Sequence, residues 1–304
     1  MTRKCDTVQV VTRQCKTTGD FEEKKMKLTV LVDNNTLIDR YFYGEPGVSY
    51  FIEEEGKRIL FDVGYSNVFI KNAQKMKINL LDIDFVVLSH GHLDHTWGLG
   101  PLIRLYTEAT IEGIDHKKPT LVAHPLTLLS KTLNGLEEIG SLLSEEKLSK
   151  QFWIKLSKEP VWLTEKLVFL GEIERRKDFE AQEPIGKTVK DELEKDDYLI
   201  DDSALVYRSS RGLVIITGCS HAGICNIVEY AKKICEEDRI IDIVGGLHLL
   251  NPPEEQLQGT LKYMKALQPI EVHACHCTDL NSKIALSKVV NIKEVGVGLT
   301  LEYK

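Results

Sequence analysis

The stretch VVLSHGHLDHTWGLG, residues 86–100, sets His90, His92 and His95 around Asp94 within six positions, directly behind an apolar run. The whole chain has nine histidines, so three of them meet in this one segment. The run DFVVLS (84–89) is short, continuous and apolar, the pattern of a buried strand. A rigid strand end is the support that a metal or catalytic constellation needs. In an extended loop His90 and His92 stand two apart and project the same way, so they can hold one ion. Asp94 and His95 follow where the chain must turn, and can hold a second ion a few ångströms away. Imidazole nitrogen suits zinc, iron and other transition metals, and a carboxylate oxygen completes a hydrolytic site. Gly91, Gly98 and Gly100 permit the tight bends around them.

The totals narrow what such a site serves. A length of 304 residues suits one large domain or two small ones. A net charge of -7 argues against a nucleic-acid surface. No apolar run approaches the roughly 20 residues that span a bilayer. The opening MTRKCDTVQV has no apolar core of a secretory signal. The seven cysteines are odd in number and unevenly spread, which points to reduced thiols in a cytoplasmic protein, not to a disulfide framework. The expected partner is a small molecule, with no nucleic acid and no membrane.

Residues 1–25 read as a polar N-terminal extension, and the folded part begins at Met26. Strands are expected over 28–32, 48–55, 58–64 and 120–125, with a helix over 66–78. Residues 126–200 turn rich in Lys and Glu and read as a charged insert with helices and a strand over 166–173, whose polar part near 175–198 is a surface loop or a lid. The second half gives a hairpin (203–208 and 213–218), a helix over 222–235, a strand over 240–246 and a helix over 254–267. Strands over 270–276 and 295–303 complete it. Two strand-and-helix halves predict one α/β domain over 26–304, with helices outside two sheets.

The spacing His90-Gly91-His92-Leu93-Asp94-His95 is the HxHxDH motif, and with its preceding strand the chain resembles the metallo-β-lactamase superfamily. The resemblance implies the αβ/βα four-layer sandwich and divalent metal ions, expected to be two. Zinc is the expected metal; magnesium, manganese and iron are alternatives. Further ligands must then come from distant segments. TGCSHAG (217–223) offers His221, and Cys219 where most of the superfamily has a bridging aspartate. GGLHL (245–249) offers His248, and HACHCTD (273–279) offers His276. The expected ligands are His90, His92, Asp94, His95, His221 and His276, with Cys219 and His248 as further candidates. Asp94, His221 and His248 are the candidate catalytic groups. His273, alternating with Cys275, is expected to pack in a sheet, and His124 ends its strand. A third histidine that other members carry is absent, and Asp202 or Glu172 are candidates to stand in for it or to touch substrate. Asn34 and Asn35, after the first strand, are candidate substrate donors.

LTVLVDNN, FDVG, VAHP, DDSALV, GCSHAGICNIV, GGLHL and CHCT together resemble the dihydropteroate-synthase-like subgroup. That subgroup carries the name 7,8-dihydropterin-6-methyl-4-(β-D-ribofuranosyl)aminobenzene-5'-phosphate synthase. The resemblance implies a transferase that joins a dihydropterin-methyl diphosphate to a phosphorylated arylamine and releases diphosphate. Lys and Arg of 175–198 are expected to clamp phosphate. The alternative is a dinuclear-metal hydrolase of an ester, lactone or phosphodiester.

Overall fold

The structure, a computed structural model, describes residues 25–191 and 193–304. The polar extension, apart from Lys25, lies outside the described residues. The chain runs β1 (Met26–Val32), β2 (Ser49–Glu54), β3 (Lys57–Phe61), α1 (Val68–Lys75), β4 (Phe85–Val87), α2 (Leu93–Thr96), α3 (Leu99–Ile111) and β5 (Thr120–Ala123). Then come β6 (Ser130–Thr132), α4 (Glu145–Leu148), β7 (Trp153–Leu156), β8 (Val161–Trp162), β9 (Leu167–Phe169), β10 (Lys187–Lys190) and β11 (Leu193–Asp196). The last part holds β12 (Ala204–Ser209), β13 (Gly212–Thr217), α5 (Ile224–Cys235), β14 (Ile240–Gly246), α6 (Glu254–Leu267), β15 (Glu271–Cys275), α7 (Leu280–Leu286) and β16 (Thr300–Tyr303).

Two sheets face each other. One has the order β16-β1-β2-β3-β4-β5-β7, the other β15-β14-β13-β12-β9-β8. Strand alternation divides the side chains between layers. Tyr50 and Ile52 of β2 point between the sheets, where they join Val214, Ile216 and Val244. Phe51, between them in sequence, points outward to Phe69, Leu102 and Tyr106, in the cluster that includes the buried faces of α1 and α3. On the far side, Ile215 meets Ile227 of α5 and Met264 of α6. This gives the four layers expected. Every residue of β13 is buried, which is why GLVIIT reads as a continuous apolar run. A large apolar side chain so buried contributes about 1.5–3 kcal/mol, so the sheets hold together without an ion.

The stretch read as a single charged insert is not one. β7 pairs with β5 in the first sheet, and β9 pairs with β12 in the second. Only the flanks stand apart, as a small sheet β11-β10-β6. The strand expected over 166–173 is found as β9, Leu167–Phe169, while the Lys- and Glu-rich surroundings mask β7, whose residues alternate between exposed and half-buried. The expected helix over 66–78 shortens to α1, and the expected last strand to β16. Among the described residues no helix is long and apolar enough to cross a membrane.

The strand directions fix where a site forms. β3, β4 and β5 run parallel, as do β13, β14 and β15. Their carboxyl ends release the loops that carry Asp62, Ser89–His95, Cys219–His221, His248 and His276. A crevice beyond the carboxyl ends of parallel strands is the usual ligand site of such sheets.

Candidate metal centre

The site is built from histidines whose rings are held from behind. Asp62, directly after β3, accepts the Ser89 N–H and the Ser89 hydroxyl, each at 2.7 Å, and lies 2.7 Å from His95 Nδ1. The Ser89 oxygen in turn lies 2.9 Å from His90 Nδ1. His276 Nδ1 lies 3.0 Å from Asn34 Oδ1, and the His276 N–H donates to Asp33 Oδ1 at 3.0 Å. In each ring the contact at Nδ1 lies behind, which turns Nε2 toward the centre. That arrangement fixes ring orientation, as partners behind metal-binding imidazoles do.

Two groups of donors result. One donor atom each from His90, Cys219 and His221 lie within 4.8 Å of one another, and so do donors from His95, Cys219 and His276. Cys219 belongs to both. Its sulfur is 3.3 Å from His95 Nε2 and 3.1 Å from His276 Nε2. His92 stands with the first group, its ring centre 4.7 Å from that of His90 and 4.9 Å from that of His221. Asp94 stands with the second, Oδ2 lying 3.3 Å from His276 Nε2 and 3.7 Å from His95 Nε2.

The residues fit metal ions. His90 Nε2, His92 Nε2 and both ring nitrogens of His221 are buried with no hydrogen-bond partner among the described residues. A buried polar atom left so costs about 1–3 kcal/mol, and four converge here. Imidazole, thiolate and carboxylate together are the donors of zinc and iron sites. Burial and then the neighbouring imidazoles push His90 and His221 well below the usual histidine range. Burial takes His92 down to about 4. These rings are therefore neutral, as ligands must be. Burial also works against charge on His95, but Asp94 and Asp62 outweigh it and raise that ring to about 9. Against the upward push of burial, His95 and His276 hold Asp94 well below the usual carboxylate range.

Several expected roles are not met. Asp202 stands behind the donor groups, and it is the His221 ring that lies beside those of His90 and His92. Asp202 is fully buried, accepts the Ala222 N–H at 2.8 Å, and stands 3.9 Å behind His90 Nδ1, so it is out of reach of substrate. Glu172 lies 3.2 Å from His124 Nε2 and 3.1 Å from Lys158 Nζ, at the surface rather than at the centre. Asn34 holds His276; Asn35 turns the chain, its N–H donating to Asp33 and its carbonyl accepting from Val297. His273 lies buried in β15, as expected.

A cleft of about 340 Å³ opens beside His221 and His248. Phe179, Gln182, Tyr198 and Gln256 line it, with Asp178, Glu183 and Glu255. Among the described residues its lining has no Lys or Arg. The Lys and Arg expected to clamp phosphate do not line this cleft. Arg175 donates to the Leu199 carbonyl, Arg176 pairs with Glu174, and Lys187 pairs with Glu194. His248 Nδ1 has no hydrogen-bond partner among the described residues, and its ring centre is 4.3 Å from that of His221. Burial depresses His248, but Cys277 and Asp202 more than offset this and raise it above the usual histidine range.

Asp33, Asp62 and Ser89 were not legible as site residues. The signal was there for the two aspartates: each ends an apolar strand run, LTVLVD and RILFD, where a carboxylate has no packing role. Asp201, Lys131 and Cys277 had no such mark.

The fold and the donor groups define a class. The chain belongs to the metallo-β-lactamase superfamily, which it matches over residues 43–232, and that membership implies divalent metal binding. Two relatives come from Methanocaldococcus jannaschii. The chain is 31% identical over 280 residues to the uncharacterized protein MJ0448, covering 89% of this chain and 98% of that one. It is 31% identical over 276 residues to a 7,8-dihydropterin-6-methyl-4-(β-D-ribofuranosyl)-aminobenzene-5'-phosphate synthase, covering 85% and 89%. The crystal structure of Tm1679, a metal-dependent hydrolase of the β-lactamase superfamily, matches with a TM-score of 0.75 at 28% identity, covering 91% of this chain and 98% of that one.

Proposed function

We propose that the chain is a dinuclear metal enzyme that transfers a dihydropterin-methyl group from diphosphate to a phosphorylated arylamine. His90, His92 and His221 would hold one ion and Asp94, His95 and His276 the other, and Cys219, close to both groups, would be a further ligand. When bound, the ions supply Lewis acidity and countercharge to the leaving diphosphate. The observation that carries the reading is the cleft beside His221 and His248. With no Lys or Arg along its wall, it suits an uncharged ring, and an anion can find countercharge only at the metal centre. A pterin diphosphate divides in that way, ring in the cleft and diphosphate at the centre. Phe179 and Tyr198 offer apolar faces to the ring. Gln182, Gln256 and the carboxylates offer acceptors to its N–H groups.

In the reaction the arylamine nitrogen bonds to the methylene carbon, and the carbon–oxygen bond to diphosphate breaks with its electron pair on oxygen. His248 Nδ1 takes the proton that the amine loses. The cleft keeps water from the methylene carbon while the ring fills it. The similarity to the synthase of Methanocaldococcus jannaschii supports this reading. The hydrolase reading is kept because Tm1679 bears that description. Under it, water rather than amine meets the electrophile.

One experiment separates them. Metal-loaded protein is mixed with the dihydropterin diphosphate, with and without the arylamine phosphate. The transferase gives coupled product and diphosphate one-for-one and needs the amine. Diphosphate release that ignores the amine, or brisk ester cleavage without coupling, overturns the transfer reading.

A further inference from the structure

A buried lysine lies beneath the histidine loop and is not part of the donor groups. Lys131, on β6, is 1% exposed. Its Nζ lies 2.6 Å from Asp197 Oδ2 and 3.0 Å from Asp201 Oδ1. The other oxygen of Asp201 accepts the Gly91 N–H at 2.8 Å, the peptide between His90 and His92. The next residue, Asp202, accepts the Ala222 N–H at 2.8 Å, the peptide after His221. Two adjacent carboxylates therefore grip the two loops that carry the all-imidazole donor group. Gly91 is part of the fit, because a Cβ there would stand 2.5 Å from the Thr127 carbonyl and 2.7 Å from Lys131 Cε.

A buried ion pair is an expensive way to stabilise a fold, and apolar side chains of similar volume commonly do as well or better. Neither Asp201 nor Lys131 reaches the cleft. What this pair does that apolar packing cannot is to hold the Gly91 peptide in one place. We infer that Lys131, Asp201 and Asp202 form a clasp that positions His90, His92 and His221 for an ion before the ion arrives. Lys131 and Asp201 are positioning residues, and the small sheet β11-β10-β6 is the part of the fold that delivers the lysine. The inference rests on the ligand set proposed above.

The test is zinc affinity, measured on the full chain by competition with a chromophoric chelator. Lys131→Met keeps the stem and removes the charge. It should lower affinity for the ion at His90, His92 and His221 by about 10–100-fold, the usual effect of losing a partner behind the ligands. The ion at Asp94, His95 and His276 should be affected less. Lys131→Met leaves two carboxylates unpaired, so a second variant, Lys131→Met with Asp197→Asn and Asp201→Leu, removes the charges together. It should recover thermal stability yet still bind zinc weakly, because the Gly91 tie is gone. Wild-type affinity in that stable variant overturns the clasp and leaves the ligand set standing. A wild-type chain that binds no zinc overturns both.

Discussion

The two halves of the proposed metal centre are made of different material and are held in different ways. The half formed by His90, His92 and His221 consists of neutral imidazoles, deeply buried, with four nitrogen atoms facing nothing among the described residues. The half formed by Asp94, His95 and His276 carries a carboxylate, and its donors already lie against one another at 3.3–3.7 Å. The first half is braced mainly by backbone ties, from Asp201 to Gly91 and from Asp202 to Ala222, with the Ser89 hydroxyl behind the His90 ring. The second is braced by side chains on its rings, Asp62 on His95 and Asn34 on His276. The first half resists charge and waits for it; the second is partly satisfied by its own charges. The difference predicts an order of loading, with the ion in the first half removing the larger strain.

Removing a ligand from the first half should have the largest effect. His92→Ala should lose that ion and lower turnover by roughly a thousandfold, the scale of several kcal/mol of Lewis-acid stabilisation. The variant should stay folded by circular dichroism, since the sheets pack without an ion. Full activity with unchanged metal content would break the assignment. His276→Ala should take metal analysis from two ions per chain to one, with the remaining ion in the first half. Retention of two ions would place His276 outside the centre.

Asp62→Asn should act on both halves, because Asp62 holds His95 directly and His90 through Ser89. Zinc affinity should fall by about 10–100-fold in each. A loss confined to one half would show that the Ser89 relay to His90 is idle. Asn34→Ala should weaken only the second half, and by several-fold, since Asn34 is exposed and its Oδ1 is one acceptor on one ring. The smallest effect belongs to Glu172→Gln. Its carboxylate is part-exposed and pairs with the exposed Lys158 and the buried His124, so stability should move by no more than about 1 kcal/mol, with turnover unchanged.

What was legible in the sequence follows from the same physics. His90, His92, Asp94 and His95 could be read because four donors behind one buried strand have no packing purpose. His221, Cys219, His248 and His276 could be read because each follows an apolar strand at the same edge. The supporting shell could not. Lys131 and Asp201 lie 70 positions apart, and their meeting depends on β6 pairing with β10 in a sheet whose strands are short and polar. Nor could charge placement be read. The Lys and Arg of 175–198 looked like a phosphate clamp by composition, yet Arg175, Arg176 and Lys187 bond to a carbonyl and to carboxylates outside the cleft. The partners of Asp202 and Glu172, the Ala222 N–H, His124 and Lys158, were hidden for a related reason, since composition marks a carboxylate but not the direction it faces.

The central claim is that one thiolate, Cys219, serves both ions. Cobalt(II) titration of the metal-free chain tests it most directly, because thiolate ligation to cobalt gives a charge-transfer absorption that imidazole and carboxylate do not. The account predicts two equivalents bound, with the thiolate band growing through both, and its loss in Cys219→Ser although Cys277 remains. A band that survives Cys219→Ser, or one that saturates after a single equivalent while a second still binds, would contradict it.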